Sequence, residues 1–151
     1  KTAMKALDRG RLSLSAGCLG GSKRALELSL NHAKQRIQFG KPIAEHQAIQ
    51  WMIADTTAEI FAMESMVYRA AWAHDQGMRI TRESAIVKMY CSEALDRAVD
   101  RGVQIHGGMG FIRECDIERA YRDARINRIF EGTNEIQRLV IARDVLTKGA
   151  Y

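Results

Sequence analysis

The chain has 151 residues, enough for one domain with a sizeable core and no need of disulfide or metal staples. Its 23 basic and 18 acidic side chains leave a net charge of +5, spread as +6 over residues 1–50, −3 over 51–100 and +2 over 101–151. That mild bias fits solvated helix faces or small anionic partners such as phosphates. No stripe of basic and aromatic residues runs along one face, so no nucleic-acid partner is expected. Cys18, Cys91 and Cys115 show no C-x-x-C spacing, which argues against a disulfide framework or thiolate zinc and suits reducing conditions. No apolar run is long enough to span a bilayer, and no charged leader precedes one. A start at KTAM rather than methionine reads as an excised domain.

The single proline, Pro42, and the wealth of Ala, Met, Leu, Glu and Arg predict an all-helical fold. Over residues 12–35, Leu14, Gly17, Cys18, Gly21, Ala25 and Leu28 recur at helical spacing. The small residues crowded there imply either close helix packing or a ligand near the backbone. Gly40 is expected to end that helix and Pro42 to start the next. A long second helix, residues 43–74, follows from Ile49, Ile53, Ile60, Met63, Val67 and Ala71.

After a turn at 75–78, Thr81 is the expected N-cap of a third helix carrying Ile86, Tyr90, Leu95, Ala98 or Val99, and Gly102. That helix is expected to end before His106. A short helical piece at about 117–124 and a last helix at 134–146, capped by Thr133 with Glu135 in its first turn, complete the chain. The sum is an antiparallel up-and-down four-helix bundle with a short extra helix.

Three places have the composition of a site. The run QIHGGMGF at 104–111 is either a helix-ending loop or a glycine cradle for an anion, without the G-x-G-x-x-G spacing of a dinucleotide fold. Arg36 and Phe39 read either as a surface cation and a core ring or as a phosphate contact and a base stack, with His46 and Gln47 as polar groups beside them. Glu131, between Phe130 and Gly132, is either a helix-flanking surface acid or a carboxylate that an apolar neighbour tunes for proton transfer. The four histidines never fall four residues apart from one another, so no metal site is expected.

Taken together, RIQFG at 36–40, EHQ at 45–47, QIHGG at 104–108 with MGF at 109–111, YRDAR at 121–125 and IFEGTNEIQ at 129–137 make residues 7–146 resemble the C-terminal helical domain of the acyl-CoA dehydrogenases. The resemblance implies FAD-dependent conversion of an acyl-CoA thioester to trans-2-enoyl-CoA. In it Glu131 takes the α-proton, hydride passes to flavin N5, and the Glu131 backbone N–H helps to polarise the thioester carbonyl.

It further implies that Arg36, Ile37, Gln38, Phe39, His46 and Gln47, with Gln104, Ile105, His106, Gly107 and Gly108, meet the FAD of a neighbouring subunit. Gly132, Thr133, Asn134 and Glu135 would contact the domain's own flavin, and Asp8, Arg9, Gly10 and Arg11 would line the acyl-CoA channel. A subgroup of the family carries its base at the position of Gly10, so the acid at 131 marks the commoner arrangement. Electron-transferring flavoprotein as acceptor, a homodimer or homotetramer, and a cytoplasmic or mitochondrial-matrix location are also implied. So are N-terminal helical and middle β domains outside this chain, without which the domain alone is expected to be inactive. A related acyl-CoA oxidase and a non-catalytic interaction domain are the alternatives.

Overall fold

A computed structural model describes residues 2–149 and bears out the helical bundle. Four long helices, α1 (Thr2–Gln35), α2 (Gln47–Asp75), α3 (Thr81–His106) and α5 (Asn134–Lys148), are joined by one short helix, α4 (Asp116–Ala124). Helix α3 is the hub: α1, α2, α4 and α5 all pack on it. The main core is built of Cys18, Ala25, Met63, Val67, Val87, Cys91, Leu95, Val99 and Ile117, and a smaller cluster of Ala33, Ile43 and Ile105 lies at the far end of α3. Burial pushes the thiols of Cys18 and Cys91 up to about 12, so both stay protonated packing groups.

Several boundaries depart from the sequence expectation for local physical reasons. Helix α1 starts about ten residues earlier than its apolar pattern, which places Asp8, Arg9, Gly10 and Arg11 on a helix. It ends at Gln35, before Gly40. The residues between form a two-residue antiparallel hairpin, β1 (Ile37–Gln38) with β2 (Lys41–Pro42), and Phe39 and Gly40 turn it at φ of 52° and 80°. Positive φ at both central residues suits the twist of a tight hairpin. A 3-10 turn at Ile43–Glu45 then delays α2 to Gln47. In α2 the buried line runs through Ala70 and Ala73 rather than Ala71.

Thr81 does not cap α3. Ile80 holds that position without a side-chain bond, while the Thr81 hydroxyl donates to Asp8 Oδ2 at 2.8 Å. Helix α3 also runs on through His106, and the glycines after it form a 3-10 turn, Gly107–Phe111. Thr133 caps α5 as expected, its hydroxyl oxygen accepting from Ile136 N at 3.4 Å.

Among the glycines of the first helix, Gly21 meets Leu95 of α3, while Gly17 and Gly20 face open space. The tightest helix contact is elsewhere. A Cβ at Gly102 would come within 2.6 Å of Ile117 Cδ1. Gly102→Ala should therefore cost about 1–3 kcal/mol by overpacking. Ile117→Val in the same chain removes the closest clashing methyl but keeps Cγ1, 2.9 Å away, and should restore part of the loss, which paired thermal melts would show as non-additivity.

Candidate active site

The loop between α4 and α5 turns sharply at Glu131 and Gly132, with φ of 58° and 88°. A non-glycine residue there is costly and needs support from its surroundings. The support comes from three side-chain donors. Arg11 Nε reaches Glu131 O at 3.3 Å, and Gln137 Nε2 reaches Glu131 O at 3.2 Å and Gly132 O at 2.9 Å. Lys88 Nζ donates to Gly132 O at 2.8 Å and to Asn134 Oδ1 at 2.8 Å. Both carbonyls are thus drawn into the bundle.

The Glu131 carboxylate lies over the backbone of α1 at Gly10, where an added Cβ would stand 2.7 Å from Oε2. Among the described residues, no side chain forms a hydrogen bond or ion pair with that carboxylate. Glycine is the one residue type that leaves room for it at position 10, and the acid and α1 stand side by side.

Of the other residues singled out near it, Asp8 and Arg11 are 7% and 4% exposed. They bond each other at 3.3 Å, and Asp8 also receives Thr81 and Ser84 from α3. Arg11 ties α1 to the turn and Asp8 ties it to α3, whereas Arg9 is exposed to solvent. Asn134 is 1% exposed, its amide held by Lys88, Ser92 and Glu93. Thr133 is half-buried and Glu135 exposed. A backbone N–H and the Thr133 hydroxyl hold the Glu135 carboxyl below its ordinary range. Phe130 stays 46% exposed.

Lys88 and Gln137 are the residues that sequence reasoning missed. Both are wholly buried. Lys88 carried a signal, because it falls on the same face of α3 as buried Ser84, Cys91, Ser92 and Leu95. A lysine in the middle of a core-facing line needs acceptors from a neighbouring element.

Most of the remaining residues that the resemblance assigns to a cofactor gather at the other end of α3. A cleft of about 650 Å³ takes in Arg36, Gln38, Phe39, His46, Ile105, His106, Gly107 and Gly108. It adds His32, which stacks on His106 with ring centroids 4.3 Å apart. His106 Nδ1–H donates to Gly102 O at 2.7 Å, leaving Nε2 turned away from the helix. Burial, then His106 and Arg36, push the His32 pKa below the usual imidazole value. Ile37, Gln47 and Gln104 are exposed and stand outside the lining. From Lys88 to Ile105 is about 26 Å along the helix axis, so the expected residues form two separate sites.

A wider cleft, about 810 Å³, opens between α3 and α4 beside Arg97, Arg101, Tyr121, Arg122, Arg125 and Arg128. Arg97 and Arg101 are paired with Glu59 and Arg128 with Asp96. No group of histidine, cysteine and carboxylate side chains fit to hold a metal occurs among the described residues. Among the described residues, no helix is long and apolar enough to cross a membrane.

The architecture is therefore a helical domain with a supported acid at one end of its central helix and a cationic, glycine-edged cleft at the other. The family profile described as "Acyl-CoA dehydrogenase, C-terminal domain" matches residues 1–146, and the chain belongs to that family. It is 47% identical over 146 residues to a probable acyl-CoA dehydrogenase, YngJ, of Bacillus subtilis, covering 97% of this chain and 38% of the relative. Butyryl-CoA dehydrogenase from Megasphaera elsdenii shares the fold at a TM-score of 0.94 and 40% identity, over 95% of this chain and 38% of that one. An acyl-CoA dehydrogenase complexed with FAD from Bacillus anthracis superposes at 0.92 with 43% identity, over 97% of this chain and 28% of that one. The chain thus spans well under half the length of these relatives.

Proposed function

We propose that this domain supplies the base for FAD-dependent α,β-dehydrogenation of an acyl-CoA thioester, with Glu131 taking the α-proton. The observation that carries the reading is the carboxylate itself: partly buried, unpaired, held on a supported left-handed turn and facing Gly10. An α-carbon beside a thioester is a very weak acid, so the base must be aimed before the proton moves.

The other cleft has the donor set that a dinucleotide needs. Arg36 offers a fork for a diphosphate, and Phe39 offers a ring to an adenine. Gly107 and Gly108 have open space where side chains would project, so a ligand can come close to the backbone. FAD, when bound, supplies the hydride acceptor. The spacing along α3 supports assigning Arg36, His46, His106, Gly107 and Gly108 to the FAD of a neighbouring copy, and the 131–135 turn to the domain's own. Exposed Ile37, Gln47 and Gln104 would extend the first contact, and Thr133 and Glu135 the second.

Self-association is also supported by α2, whose Trp51, Phe61, Tyr68 and Trp72 are each at least 60% exposed. On this reading the enzyme is a dimer or tetramer that passes electrons to electron-transferring flavoprotein, and the domain alone is inactive for want of an oriented flavin. The test is to assay the full-length flavin-loaded enzyme on saturated acyl-CoA thioesters of graded length, with an electron-transferring flavoprotein or with dioxygen as acceptor. Turnover that needs the flavoprotein supports the proposal. Turnover sustained by dioxygen replaces it with an oxidase, and none with any thioester overturns it.

A further inference from the structure

We propose that Lys88 is a positioning residue for the base. By binding Gly132 O and Asn134 Oδ1 from inside the bundle, it registers the Glu131–Gly132 turn to α3 and so sets where the carboxylate stands. The role assigned to Glu131 rests on the function proposed above, but the clamp itself is read from the chain alone.

Three features argue for it. Lys88 is fully buried, yet its two acceptors at 2.8 Å belong to the turn and to the first residue of α5, and neither belongs to α1 or α2. The ammonium spans two elements: Asn134 starts α5, and Gly132 ends the loop. Loss of the lysine therefore frees the residue after the acid and the start of α5 at once.

Its neighbour Asn134 is tied to the same helix through Ser92, at 2.9 Å. The turn is thereby referenced to the central helix rather than to loop backbone alone. Because C=O and N–H of a trans peptide point opposite ways, pulling the carbonyls of residues 131 and 132 inward also turns the Gly132 and Thr133 N–H groups outward.

Protonation gives a signature that packing alone lacks. The charged and titratable groups facing the ammonium are Arg11 and Cys18 on α1, Glu131 in the loop and Glu135 on α5. Burial, the largest effect, holds the Lys88 pKa down to about 8, from 10.5. Between those values the native state binds fewer protons than the unfolded chain, so folding stability rises with pH across that window. The clamp moves the other way, since a neutral amine gives weaker hydrogen bonds to the two oxygens.

The test uses the full-length flavin-loaded enzyme with its best saturated acyl-CoA, comparing wild type with Lys88→Met and Lys88→Gln. Turnover by the wild type should fall off above about pH 8. Lys88→Met should keep its flavin and its KM within about threefold, lose about 100-fold in kcat, and no longer show that alkaline fall.

Independently of activity, amide hydrogen exchange at residues 131–134 should quicken about tenfold in Lys88→Met and less in Lys88→Gln, which retains a donor. Wild-type exchange in these variants would overturn the clamp, and wild-type kcat or a persisting alkaline fall in Lys88→Met would overturn its positioning role. If Lys88→Met does not fold, Lys88→Gln decides by the same readings. Absence of any wild-type turnover would count against the proposed function instead, and exchange would still decide the clamp.

Discussion

Glu131→Gln should lower the rate of flavin reduction by about 10³-fold or more while leaving the flavin bound. The amide has the shape of the acid, and the turn is held through its carbonyls by Arg11, Gln137 and Lys88, whose hydrogen bonds go to backbone oxygens and not to the Glu131 side chain. Fold and turn should survive while the proton acceptor is lost. Rapid mixing of the oxidised full-length enzyme with an α-deuterated acyl-CoA separates this from slow binding, because the residual rate should carry a large isotope effect. Reduction at the wild-type rate would show that another group takes the proton.

Gly132→Ala is the harsher change at the same place, though it removes no reacting atom. At φ of 88° an L side chain is strained, and its Cβ would stand 2.8 Å from Gln137 Nε2. Strain of about 1–2 kcal/mol adds to the loss of one or both bonds that this buried amide makes, about 1–3 kcal/mol. A clear fall in melting temperature and about a 100-fold loss of turnover are expected together. Gly107→Ala is the comparison, since φ there is 59° but nothing lies within 4 Å of the added carbon. It should lose about 1 kcal/mol and weaken flavin retention more than turnover. Equal effects at the two glycines would mean that Gln137 does not brace the turn.

The helical periods along α2 and α3 and the Thr133 cap were open to reading because each depends on local spacing that the bundle then respects. Gly40 has the signal of a helix end, yet its conformation and that of Phe39 are set by a hairpin of only two residue pairs. Thr81 had the chemistry of a cap but was claimed by Asp8, 73 positions away in the chain. The same limit hid the support of Glu131. Its donors come from positions 11, 88 and 137, and no short window contains more than one of them. The separation of the cofactor residues into two ends of α3 likewise needed the helix to be laid out in space.

The backbone at position 131 bears on why an acid stands there at all. Folding by itself would favour glycine, and next asparagine, at φ of 58°. Glu131→Gly should accordingly make the domain harder to melt. Ranked by fit to its own backbone, then, the glutamate is a poorer occupant of its place than glycine or asparagine, and stability cannot be the reason for it. A screen that rewards only robust folding would discard this side chain early and would return a sturdier bundle without the proposed base.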